Sequence, residues 1–135
     1  MIHKPFELGL TLQGIVLPTE KPIIDFWIEP LKKFVPALLD TGATQYSIEN
    51  ELALALNLEK RENERVAYLA LNEVAEVSVY SLEFRLAGMM DYRITENFYS
   101  IPFNFMYKII IGTDFLKRCK SFHINYINKT WTIEL

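Results

Sequence analysis

The stretch "ALLDTGATQYSI", Ala37 to Ile48, decides how the rest of the chain is read. An apolar run of strand length, "FVPALLD", ends in a carboxylate, Asp40, and then turns on Gly42. The run would carry Asp40 to the end of a buried strand. Gly42 has no Cβ, so the backbone can turn tightly there and its amide can approach the carboxylate. Thr41 adds a hydroxyl that both donates and accepts. The expected product is a semi-buried, hydrogen-bonded carboxylate aimed out of a strand end. Taken alone, Asp40-Thr41-Gly42 reads equally as an Asx-type turn between a strand and a helix.

Outward from this stretch, most segments read as strands. "LGLTLQGIVL" alternates and is rich in β-formers, and in "PIIDFWIEP" Ile24, Phe26 and Ile28 share one side. After the turn, "SIENELALALNL" places Leu52, Ala53 and Leu56 at helical spacing, which predicts a short helix over about 49–56. "RVAYLALNEV" and "AEVSVYSLEFRL" predict two strands joined near Leu71–Glu73, with Asn72 as a turn residue and an even alternation from Val77 to Leu82. "ENFYSIPF" is a further strand, near an edge or an end because of Pro102. "YKIIIGTDFLKRC" is a buried strand, a glycine and a helix beginning at Thr113 or Asp114, both good N-caps. "FHINYINKTWTIEL" is a hairpin turning at Asn128-Lys129. Many short strands with two short helices predict an all-β class with a closed, barrel-like sheet.

Composition narrows the function. The chain has 135 residues, half of them hydrophobic, which suits a single domain with a real core. With 17 acidic and 14 basic residues the net charge is -3, so there is no electrostatic footprint for nucleic acid. Lys117, Arg118 and Lys120 read as a solvated helix end. Cys119 is the only cysteine, which excludes an internal disulfide and suggests a packing residue. His3 and His123 are too far apart to read as a zinc motif. The opening "MIHKPFELGL" shows no signal-peptide pattern, and no apolar run approaches the roughly 20 residues of a membrane span. A cytoplasmic protein is the expectation.

A second motif stands about seventy residues after the first. In "IIIGTDFL", Ile109 to Leu116, an apolar strand again runs into a glycine and then a helix. The pair, in this order and at this separation, resembles the retroviral-like, single-domain aspartic proteases. That family's active-site loop is a hydrophobic run followed by Asp-Thr/Ser-Gly-Ala, matched by "ALLDTGAT"; its second signature is a hydrophobic run, Gly and a helix, matched by "IIIGTDFL". The resemblance reaches from about Leu8 to Leu135.

The resemblance implies a closed β domain, residues 1–135, acting as a homodimer in which each chain contributes one catalytic aspartate, Asp40. The single Asp-Thr-Gly of this chain agrees, since one loop per chain needs two chains for a pair. It further implies that Thr41 bonds across the dimer, Gly42 orients the carboxylates through its amide, Ala43 lines the cleft, and Gly112 lets its strand pass close behind the loop. Retroviral members carry an Asp two residues after the first glycine and an Arg after the second glycine. Here those positions are Thr44 and Thr113, both ends of the ion pair being replaced together, which predicts a less charged subsite wall. The implied flap is the hairpin of Val66–Leu82, with Tyr68, Leu71 and Asn72 as candidate flap residues and, unusually, no glycine at its tip.

The function implied is an aspartic endopeptidase hydrolysing peptides or proteins by acid/base activation of water, with no metal and no cofactor. The competing readings are a non-catalytic dimerisation or peptide-binding domain on the same fold, and a plain barrel in which the motifs are accidental. The C-terminal "TWTIEL" leaves two options open: Trp131 and Ile133 reach the partner chain, or they pack in their own core.

Overall fold

The computed structural model describes residues 4–16, 21–61, 64–68, 73–101 and 106–135, and for 64–68, 73–75 and 101 the backbone alone. Within them lie twelve strands and two short helices. Six strands close into a ring: β2 (Ile23–Ile28), β3 (Lys33–Leu39), β10 (Ile109–Ile111), β4 (Tyr46–Glu49), β9 (Met89–Ile101) and β8 (Val79–Leu86), with β8 pairing back onto β2. Closure leaves these six without a free edge. β5 (Glu59–Lys60) hangs on β8 outside the ring. The all-β, barrel-like expectation holds.

The ring is filled by alternate residues of each strand, as a two-residue period requires. Ile24, Phe26 and Ile28 are buried as expected, against Phe84, Phe98, Tyr46 and Phe115. Phe26 and Phe84 stack with ring centroids 4.1 Å apart, and Phe98 meets both edge-on. Aromatic pairs in these geometries add about 0.5–1.5 kcal/mol beyond the area they bury.

A second sheet joins the two termini. β1 (Thr11–Ile15) pairs with β12 (Thr130–Glu134), which pairs with β11 (Ser121–Asn125). Trp131 locks this sheet to the barrel: its Nε1 donates to the Ile23 carbonyl at 3.0 Å, and its ring lies over Gly14, where any Cβ would collide with it. Trp131 and Ile133 are 4% and 0% exposed, so they pack in their own core.

Three details depart from the sequence reading. Tyr46–Glu49 is a strand, and the helix α1 spans only Asn50–Ala55. Tyr46 and Ile48 point inward while Ser47 and Glu49 do not, because β4 is inserted between β10 and β9. The alternation expected from Val77 to Leu82 breaks: Val77 and Val79 are buried, but so are Tyr80, Leu82, Phe84 and Leu86. The break falls beside Ser78, where the chain passes from a two-stranded ladder, β6 (Glu64–Tyr68) with β7 (Glu73–Val77), into the barrel. The Ser78 amide donates to Ser100 Oγ and its carbonyl accepts from the Ser100 amide, which anchors the crossing. Third, Arg118 is no solvated helix end. It pairs with Glu96, donates to the Lys4 carbonyl at 2.8 Å and lies 4.0 Å from the centre of the Phe6 ring.

Candidate functional site

β3 and β10 run parallel, with Ile109 opposite Ala37, Ile110 opposite Leu38 and Ile111 opposite Leu39. The residues that follow, Asp40 and Gly112, therefore leave the barrel side by side. Backbone hydrogen bonds lace the two loops: Asp40 N–H to the Ile111 carbonyl, Thr113 N–H to the Ala43 carbonyl and Asp114 N–H to the Thr44 carbonyl, each at 2.9 Å. Gly112 sits where this lacing is tightest. A Cβ there would stand 2.5 Å from the Ala43 carbonyl oxygen, so the position requires glycine by close approach. Helix α2 (Thr113–Leu116) starts at once and drives Phe115, 0% exposed, into the core beneath the loops.

Asp40 is half-buried, and one of its carboxylate oxygens accepts the Gly42 amide at 2.9 Å. The turn is thus of the Asx type, and the same bond orients the carboxylate; the two sequence readings of this turn describe one geometry. A Cβ on Gly42 would approach that carboxylate oxygen to 3.2 Å and crowd it. Thr41 and Thr44 are exposed, whereas Ala43 and Thr113 are half-buried. Asp40, Thr41, Gly42, Ala43, Thr44, Gly112 and Thr113 all fall within this loop pair. Tyr68 ends β6, and Leu71 and Asn72 lie outside the described residues.

Residues not singled out from the sequence also meet here. Leu38 and Ile110 face away from the barrel interior, opposite to Leu39, Ile109 and Ile111, and form a separate apolar cluster with Ile23, Ala43 and Tyr107. This cluster touches the loop through Ala43, three residues from Asp40. Its signal was present in the unbroken runs "ALL" and "III": a strand apolar at every position has both faces covered.

Two titratable groups contact Phe115, the buried Tyr46 and the half-buried Cys119. Burial holds the Tyr46 phenol far above its ordinary range, and its hydroxyl has no hydrogen-bond partner among the described residues. Burial likewise pushes the Cys119 thiol up to about 12, against a counteracting pull from Arg118, so this cysteine is protonated at ordinary pH. Its Sγ lies 3.5 Å from the Phe115 carbonyl. It packs, as its sequence context suggested.

The fold is that of the retropepsin-like aspartic proteases. A retropepsin-like aspartic protease from Rickettsia conorii superposes over 92% of this chain and 89% of its own, with a TM-score of 0.65 at 14% identity. The retroviral protease-like domain of Ddi1 from Leishmania major covers 84% of this chain and 87% of its own, with a TM-score of 0.55 at 20% identity. At these identities the likeness is one of fold. No protein-family model and no curated protein matches the sequence. Among the described residues no helix is long and apolar enough to cross a membrane.

Proposed function

We propose that this chain is an aspartic endopeptidase, a single domain over residues 1–135 that acts as a homodimer with Asp40 of each chain as the catalytic pair. The observation that carries the reading is the Asp40 carboxylate, held by the Gly42 amide at the mouth of two interlaced loops in this fold. Two carboxylates facing each other share one proton, as is general for aspartic-protease dyads, because like charges at close range oppose the second ionisation. The ionised member takes a proton from a water lying between them as it attacks the peptide carbonyl. The protonated member donates its proton to the carbonyl oxygen; the member that took the water proton then passes it to the leaving amine, while the first recovers a proton from the collapsing diol, so the pair again shares one proton. Both forms must coexist, so the optimum lies on the acidic side.

The Leu38–Ile110 cluster beside Asp40 supports a subsite for an apolar side chain next to the cut. Thr44 and Thr113 support an uncharged wall, and Thr41 is assigned to bonding across the dimer. The hairpin bearing Tyr68, Leu71 and Asn72 is assigned to covering the substrate. A non-catalytic peptide-binding domain is the competing reading, favoured by the absence of glycine at Leu71–Glu73.

Digestion of a diverse peptide mixture at mildly acidic pH, wild type against Asp40→Asn, tests the proposal. Cuts beside apolar residues made only by the wild type are expected, with a loss of at least ~10³-fold in the variant. Binding of peptides without cleavage by a dimeric wild type would favour the competing reading. A strong preference for basic residues at the cut would remove the uncharged-wall argument.

A further inference from the structure

A helix of four residues cannot hold its own shape in water, because nucleation costs more than a single turn of hydrogen bonds returns. Yet α2 carries the two amides, Thr113 and Asp114, that grip the Ala43 and Thr44 carbonyls of the Asp40 loop. Thr44 and Thr113 carry no charge, so these two positions add no ion pair to the backbone bonds. The placement of the loop therefore depends on what fixes α2 from outside. Phe115, buried beneath the loops, is one anchor.

The other lies at the far end of the helix. Arg118 follows the C-cap residue, Lys117. Its guanidinium pairs with Glu96 on β9, donates through Nε to the Lys4 carbonyl at 2.8 Å, and lies 4.0 Å from the centre of the Phe6 ring. Its main-chain carbonyl accepts the Phe6 amide at 2.9 Å. One residue thus joins the N-terminal segment, the barrel wall and α2. Both members of the ion pair are shielded, with side chains 18% and 26% exposed. Phe6 completes the clasp, buried with its ring centre 5.7 Å from that of Phe115.

Thr113 and Arg118 are only about 8 Å apart at helical rise, so movement at the clasp reaches the loop amides. The pairings of the six-stranded ring do not involve residues 4–6 or 118. The ring therefore survives when the clasp is cut.

We propose that Arg118 is a positioning residue for catalysis: by clasping α2 to Glu96 and to the 4–6 segment, it fixes the Asp40 loop. The inference rests on the aspartic-peptidase reading. A guanidinium suits the task because its planar fork serves a carboxylate, a carbonyl and a ring face together, whereas a lysine ammonium is a single point charge. Arg118→Lys is thus the informative variant. It keeps a cation beside the titratable groups it faces, Glu96, Tyr46 and Cys119, and near Asp114 on its own helix, but cannot hold all three contacts.

The test compares wild type, Arg118→Lys, Glu96→Gln and Arg93→Lys. It measures kcat per folded chain, KM, the pH profile of kcat/KM, and amide exchange at Thr113, Asp114 and Leu39. Arg93, in an exposed 3.8 Å pair with Glu83, is the control for an arginine-to-lysine change. In Arg118→Lys and Glu96→Gln, kcat should fall about ten- to a hundredfold with KM little changed, as for a small misplacement caused away from the chemistry. The limbs of the Arg118→Lys profile should move, because coupled carboxylates titrate according to their spacing and this variant keeps the charge. The Thr113 and Asp114 amides should exchange at least about tenfold faster, with Leu39 unchanged. Arg93→Lys should match wild type throughout. A lower urea midpoint with kcat, pH limbs and exchange at Thr113 and Asp114 as in wild type would show a role in stability alone, overturning the inference and leaving the dyad reading standing. A wild type that cuts no peptide would overturn both.

Discussion

The Asp40 platform and the β6–β7 hairpin, which the proposed function sets on either side of the substrate, are built in opposite ways. In the platform, β3 and β10 each have a neighbour on both sides, two loops are cross-bonded by their backbones, and Phe115 fills the space below. The hairpin strands pair with each other in a ladder separate from the barrel. A two-stranded ladder of this kind has little stability of its own. On the proposed function the difference is a division of labour: a carboxylate pairing with its twin needs a fixed base, while a hairpin covering a peptide does not.

Amide exchange sharpens this contrast most. Amides of Leu39 and Ile111 should exchange only through global unfolding, and those of β6 and β7 at least ~10³-fold faster. Equal protection in the two regions would break the comparison.

Gly112→Ala comes next. The added Cβ meets backbone that the lacing holds in place, so we expect a loss of about 1–3 kcal/mol in urea unfolding, with activity lost beyond what the unfolded fraction explains. A neutral variant would mean that the loops are less tightly coupled than their hydrogen bonds indicate.

The smallest effect concerns pH. Cys119 has its folded value raised from 9.0 to about 12, so it binds its proton more tightly when folded. Between these values the unfolded chain holds fewer protons, and stability falls as pH rises. The contribution is complete below about 9 and gone above about 12. Cys119→Ala should flatten that alkaline decline in a denaturation series, and an unchanged slope would place the thiol in a wetter setting than its burial implies.

How much was legible in the sequence follows the same division. The platform could be read because its chemistry and its crowding restrict the residue types: a carboxylate at Asp40, an amide donor at Gly42, no Cβ at Gly112. The closed sheet could be read from period-two burial in "IIDFWI" and the apolar runs. β4 was hidden because Tyr46–Glu49 adjoins a helical pattern and its strand state depends on partners distant in sequence. The crossing at Ser78 was hidden for the same reason, since it is set by Ser100. Arg118 looked solvated because nothing local announces Glu96 or Phe6. The Leu38–Ile110 cluster showed only as apolar runs, whose second face no local pattern explains.

The central claim is that two Asp40 carboxylates act together, and mixed dimers test it most directly. Wild-type and Asp40→Asn chains would be unfolded together, refolded in varying ratio at constant total concentration, and assayed for peptide cleavage. If both carboxylates are required, activity follows the square of the wild-type fraction, so an equal mixture retains about a quarter of full activity. Activity proportional to the wild-type fraction, about half in that mixture, would show that each Asp40 works alone and would contradict the account.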